Sequence, residues 1–175
     1  MMPPVPEVAL DFEALVSAQR RGLEALARRL VWDAEEAKDV FQAAMTQAWS
    51  QRATLKDAAA APGWLRRIVV HRAMSHLRRR RLWSAFSKLL LVEPEVVEPV
   101  DDDAERNEHR AKLAAALEGL SPKQSTAFSL RYLEGLSLDE VAEAMAMNRG
   151  TVRVHVQRAV KALRAQGVLP DKELP

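Results

Sequence analysis

Arg153 and Gln157 stand four residues apart near the end of the chain, and no acid lies between Arg149 and Arg164. On a helix, that spacing puts a guanidinium and an amide on one face, where both can reach neighbouring base edges in a major groove. Val154 can meet a thymine methyl, while Arg158 and Lys161 are suited to flanking phosphates. Val152, Val156, Ala159 and Leu163 recur at helical spacing and form the apolar stripe that such a helix needs. The competing account is an ordinary core helix with a solvated cationic face.

Context separates the two. Ser121-Pro122-Lys123-Gln124 predicts a capped helix start with proline in the first turn, and Ser137-Leu138-Asp139-Glu140 repeats the capping box. Asn148 caps the run at 149–166, and Met147-Asn148-Arg149-Gly150 leaves room only for a tight turn. Short capped helices joined in this way predict a helix-turn-helix.

A second concentration of cations lies upstream. Arg66, Arg67, Arg72, Arg78, Arg79, Arg80, Arg81 and Lys88 fall within 62–88 with no acid among them. Such a run attracts phosphate, although a basic helix end also follows from the helix dipole. Trp64, Trp83 and His71 place flat rings near these cations, the combination that holds unstacked bases, while Trp64 also suits a core position.

The elements around this run follow from caps and periodicity. Asp11 is expected to cap a helix to about Leu30, with Phe12, Leu15, Leu23, Leu26 and Leu30 facing inward. Asp33 and Glu36 form a further capping box, opening a helix to about Arg52. On that helix Ala37, Val40, Ala44 and Ala48 face one side, and Asp39, Gln42 and Thr46 form a polar strip on another. The strip is a candidate docking surface or an ordinary wet face. A loop at 54–61 precedes a helix from Pro62 that ends in the Arg78–Arg81 run.

Charge then reverses. Residues 93–108 hold eight acids against the single base Arg106, with Pro94 and Pro99 among them. The expected organisation is a mobile N-terminus (1–10), a helical domain (11–86), an acidic linker (87–102), a helix-turn-helix domain (103–167) and a tail (168–175). Composition agrees with an all-α fold: of 175 residues 48% are apolar, only 5% aromatic, and six are glycine. The absence of cysteine excludes disulfides and thiol chemistry. No apolar run has the length of a membrane span, so a cytoplasmic location without membrane insertion is expected. His71 and His76 miss metal-ligand spacing, and His109 and His155 lie apart, so no metal and no cofactor is expected.

These motifs together resemble the extracytoplasmic-function sigma factors. The second block matches through Leu120-Ser121-Pro122-Lys123-Gln124, Leu130-Arg131-Tyr132-Leu133-Glu134-Gly135, Glu140-Val141-Ala142 and Gly150-Thr151-Val152-Arg153. The first matches through Asp39-Val40-Phe41-Gln42, Trp49, Trp64-Leu65, Arg67-Ile68 and Arg78. The resemblance implies promoter-specific initiation without bond chemistry in this chain. Its partners would be RNA polymerase core, through the beta-prime and beta subunits, promoter DNA and an anti-sigma factor. It assigns Asp39, Gln42 and Thr46 to polymerase binding. Trp64, Arg67, His71, Ser75, Arg78 and Arg79 would serve the minus-ten element. Arg149, Thr151, Arg153, Val154, Gln157, Arg158 and Lys161 would serve the minus-thirty-five element. The chain departs from the family pattern at Lys38, Ala43, His71, Ser75 and Val154. A stand-alone helix-turn-helix regulator is the alternative, but it has no use for the first block. An enzyme is the remote one.

Overall fold

The computed structural model describes residues 11–89 and 104–170. Most of the expected linker, the first ten residues and 171–175 lie outside the described residues. Seven α-helices and no strand occur among the described residues. α1 spans Phe12–Val31, α2 Ala34–Gln51, α3 Ala61–Leu89 and α4 Ala104–Glu118. α5 spans Pro122–Phe128 and continues into a π turn, Ser129–Leu133. α6 spans Leu138–Met145 and α7 Arg149–Ala165.

The helix starts obey local chemistry. The Asp11 carboxylate accepts from the Ala14 N–H at 3.0 Å, and that of Asp33 from the Glu36 N–H at 2.8 Å. Ser121 with Gln124 and Ser137 with Glu140 form complete reciprocal boxes. Asp33 and Glu36 make only half of the expected one, because Glu36 turns to α3 instead.

α1, α2 and α3 pack on one another through Leu23, Leu26, Leu30, Val40, Phe41, Ala44, Leu65, Ile68 and Val69, all buried. Each large aliphatic group buried here contributes about 1.5–3 kcal/mol. The loop expected at 54–61 contains two single 3-10 turns, and Asp57 caps the second by accepting from Ala59 N–H. α3 then runs through the arginines to Leu89 rather than ending there, so 87–89 are helical. Neither glycine nor proline follows Arg81 until Pro94, so nothing local stops the helix.

The second half has its own apolar centre of Ala116, Leu117, Leu120, Phe128, Ala159 and Leu163. Val168 and Leu169 pack against it. The halves are not separate beads. The main cluster continues from α3 into Ala127, Leu130, Val141, Met145, Val152 and Val156, because α5 and α6 pack on α3.

Glu36 joins α2 to α3. Its Oε2 lies 3.0 Å from His76 Nε2, at an angle short of a directed hydrogen bond, and 2.7 Å from Arg80. His76 is the leading cause that lowers the Glu36 pKa, burial opposes it, and Arg80 lowers it further. The folded protein therefore binds this proton less readily than the unfolded chain. The stabilisation is present above the ordinary glutamate value of 4.5 and is lost as pH falls through the depressed folded value. Urea titrations between neutral pH and acid should show Glu36→Gln losing part of that acid-limb slope; an unaltered slope would refute the assignment.

Candidate nucleic-acid interface

α7 presents the face that its sequence pattern predicts. Val152, Val156, Ala159 and Leu163 are buried, while Arg149, Thr151, Arg153, Val154, Gln157, Arg158 and Lys161 are all exposed. Asn148 accepts from the Thr151 N–H at 2.7 Å, which starts the helix one residue before Arg149. Asp139 approaches Arg149 to 3.6 Å, but both side chains are well exposed, so the pair contributes little and leaves the guanidinium available. His155 lies at the edge of the face, half-buried, with Nδ1 enclosed and lacking a hydrogen-bond partner. Burial first, then the cations Lys123 and Arg158, holds this imidazole below the usual histidine range. The sequence pattern did not single it out.

Residues 146–148 make the turn between α6 and α7. Ala146 takes the left-handed conformation, φ 51°, and its N–H donates to the carbonyls of Ala142 and Glu143. The Met147 N–H closes on the Ala142 carbonyl at 2.9 Å. A Cβ at that φ is strained. The turn is held by the burial of Val141, Ala144 and Met145 on one side and Val152 on the other.

α3 divides its cations. Arg67, Arg78 and Arg79 are exposed, as is Ser75, and Leu82 and Trp83 at 66% and 72% exposure extend the helix surface beyond them. Trp64 and His71 are half-buried, Trp64 packing on the main core. Arg72 Nε donates to Gln47 Oε1 at 2.6 Å and so belongs to the α2–α3 joint. Arg80 and Arg81 turn to the second half: Arg80 reaches Glu118 Oε1 at 3.1 Å, and Arg81 the Leu120 carbonyl at 3.0 Å. Nothing in the run itself separates these two from their neighbours. Only the fold does.

On α2, Asp39, Gln42 and Thr46 all face solvent, and the Thr46 hydroxyl donates back to the Gln42 carbonyl at 3.0 Å. Trp49, 54% exposed, extends the face of Gln42 and Thr46 by one turn. The Arg52 guanidinium stacks over its ring at 4.0 Å, and Phe12 meets it edge-on at 5.4 Å. No group of acids and histidines able to hold a metal occurs among the described residues. No described helix is long and apolar enough to cross a membrane.

A solvent-facing helix-turn-helix beside a second cationic helix is a surface suited to nucleic acid. Comparison with known proteins makes the class specific. Residues 15–82 match the family described as Sigma-70 region 2, and residues 110–163 match Sigma-70, region 4. The RNA polymerase sigma-E factor of Streptomyces coelicolor is 35% identical over 162 residues, covering 93% of this chain and 89% of that protein. The ECF RNA polymerase sigma factor SigM of Mycobacterium tuberculosis is 30% identical over 148 residues, 85% of this chain and 72% of SigM. The fold is also that of the sigma factor RpoE from Bartonella quintana, solved with the anti-sigma factor NepR. Its TM-score is 0.67 at 23% identity, with 93% of this chain and 99% of that one covered. The chain belongs to the extracytoplasmic-function group of RNA polymerase sigma factors.

Ala146→Gly should relieve the strain in the turn and raise unfolding free energy by about 1 kcal/mol. Chemical denaturation measures this, and a loss of stability would show that the alanine methyl is needed where it stands.

Proposed function

We propose that the chain docks on RNA polymerase core, on the beta-prime and beta subunits, through Asp39, Gln42, Thr46 and the adjoining Trp49. Arg153, Val154 and Gln157 read base edges of the upstream promoter element, while Arg149, Thr151, Arg158 and Lys161 hold its phosphates. Arg67, Arg78 and Arg79 hold the downstream element, with Trp64, His71 and Ser75 alongside. Residues 11–86 and 103–167 act as the two reading units. Extruding a base costs a few kcal/mol, which stacking and cation contacts along α3 offset. The chain acts by binding and positioning, catalyses no step, works in the cytoplasm, and is held in check by an anti-sigma factor.

One observation carries this reading: the positions on α7 that a groove-reading helix requires are exposed, while its apolar stripe is buried. A stand-alone regulator would leave the solvent-facing α2 strip without a purpose. Run-off transcription with purified core polymerase, with and without the chain, is the direct test. Start-site selection that depends on the chain supports the proposal, and its absence defeats it.

Two variants refine the roles. Arg153→Ala should weaken binding to the upstream element by ~1–3 kcal/mol and relax its sequence preference. An equal loss on all DNA would move Arg153 from base reading to phosphate holding. Asp39→Arg combined with Gln42→Ala should remove co-purification with core polymerase while leaving the circular dichroism spectrum unchanged. Normal co-purification would end the docking role of the strip.

A further inference from the structure

A cavity of about 340 Å³ lies where α1, α3, α4 and the start of α5 meet. Leu30, Leu77, Leu117 and Leu120 line it and are buried, with Trp32 and Pro122 completing the apolar wall. Arg81, Ser84 and Glu118 also line it, and all three are exposed. The polar groups therefore stand at the mouth and the aliphatic groups at the floor. Gly119 takes its place in the wall without a side chain.

The two cations at the mouth are not equivalent. Arg80 reaches Glu36 at 2.7 Å and Glu118 at 3.1 Å, so two carboxylates answer its guanidinium. Arg81 donates to the Leu120 carbonyl at 3.0 Å, a neutral oxygen that engages only part of its donor fork. Ser84 follows Arg81 by three residues on α3, which places the two on one face of the helix. A guanidinium and a hydroxyl in that arrangement suit a carboxylate, which takes paired N–H donors in one plane. The floor demands something different. Water there would need about two to four polar partners, and four leucines supply none. A dry aliphatic cavity of about 150 Å³ accepts benzene, so this one has room for a body of about twice that size.

We propose that the cavity is a binding site for a small amphipathic carboxylate. Its hydrocarbon body lies among the four leucines, and its carboxylate is held by Arg81 and Ser84. Burying the hydrocarbon supplies the attraction, and the guanidinium selects the sign of the head group. Glu118 also stands at the mouth, and Arg80 offsets its repulsion of an incoming anion. The occupant touches groups from α1, α3, α4 and α5, so it stabilises the folded chain increasingly as its concentration rises. None of the residues assigned above to polymerase or promoter lines this cavity, and the inference does not depend on the sigma-factor reading.

Octanoate is the probe, added to the full-length chain, with octylamine and octanol of equal chain length for comparison. Octanoate should shift the methyl resonances of Leu30, Leu77, Leu117 and Leu120 saturably, at one molecule per chain, and should raise Tm. Octylamine should give no saturable shift. Arg81→Gln should weaken octanoate about tenfold and leave the affinity for octanol, which the floor sets, unchanged. Glu118→Gln should tighten octanoate, because it removes a like charge and releases Arg80. Ser84→Trp, at an exposed position, should block octanoate and octanol alike while the helical circular dichroism spectrum persists. Shifts that never saturate, or that fall equally on Leu23 and Leu65 away from the cavity, overturn the site. Octanoate affinity unmoved by Arg81→Gln, or matched by octylamine, overturns the carboxylate as its ligand.

Discussion

Like charges on one helix repel, and a guanidinium cannot be buried without a partner. That constraint governs α3. Seven arginines lie between Arg66 and Arg81 with no acid among them, yet the same stretch supplies Leu65, Ile68, Val69, Val70, Ala73 and Leu77 to the core. The helix can sit at the centre of the molecule only if each cation finds water or an oxygen acceptor. Arg67, Arg78 and Arg79 find water; Arg72 finds Gln47; Arg80 finds Glu36 and Glu118. The distribution of those partners sorts the cations on α3 into some that hold the fold and others that remain open to phosphate.

The same sorting is simpler on α7. Its apolar residues fall on one stripe, so burying them against α5 and α6 leaves Arg149, Arg153, Gln157, Arg158 and Lys161 outward. This difference explains why one helix reads as a surface and the other as both surface and joint.

Much of this was legible from local rules. The caps at Asp11, Asp33, Ser121, Ser137 and Asn148 each involve residues three apart, and all five accept the backbone bond that their sequence motif implies. The α7 stripe is likewise a matter of period. What was not legible depends on distant partners. Glu36 leaves its capping box because His76 and Arg80, forty or more residues away, offer more. Arg80 and Arg81 look identical to Arg78 and Arg79 in the chain and differ only by which side of α3 the second half covers. The π turn at Ser129–Leu133 has no motif of its own, since its bonds, such as Glu134 N–H to the Ser129 carbonyl, close one residue wider than an α-helix.

α5 has seven residues and α6 eight. Segments so brief scarcely persist as free peptides in water, because nucleation costs more than a turn or two of bonding returns. They must condense around α7 in a single cooperative event. Half-assembled versions, with a frayed scaffold and a tilted probe, are therefore scarcely populated, and sequence discrimination is not blurred by a population of loosely seated readers.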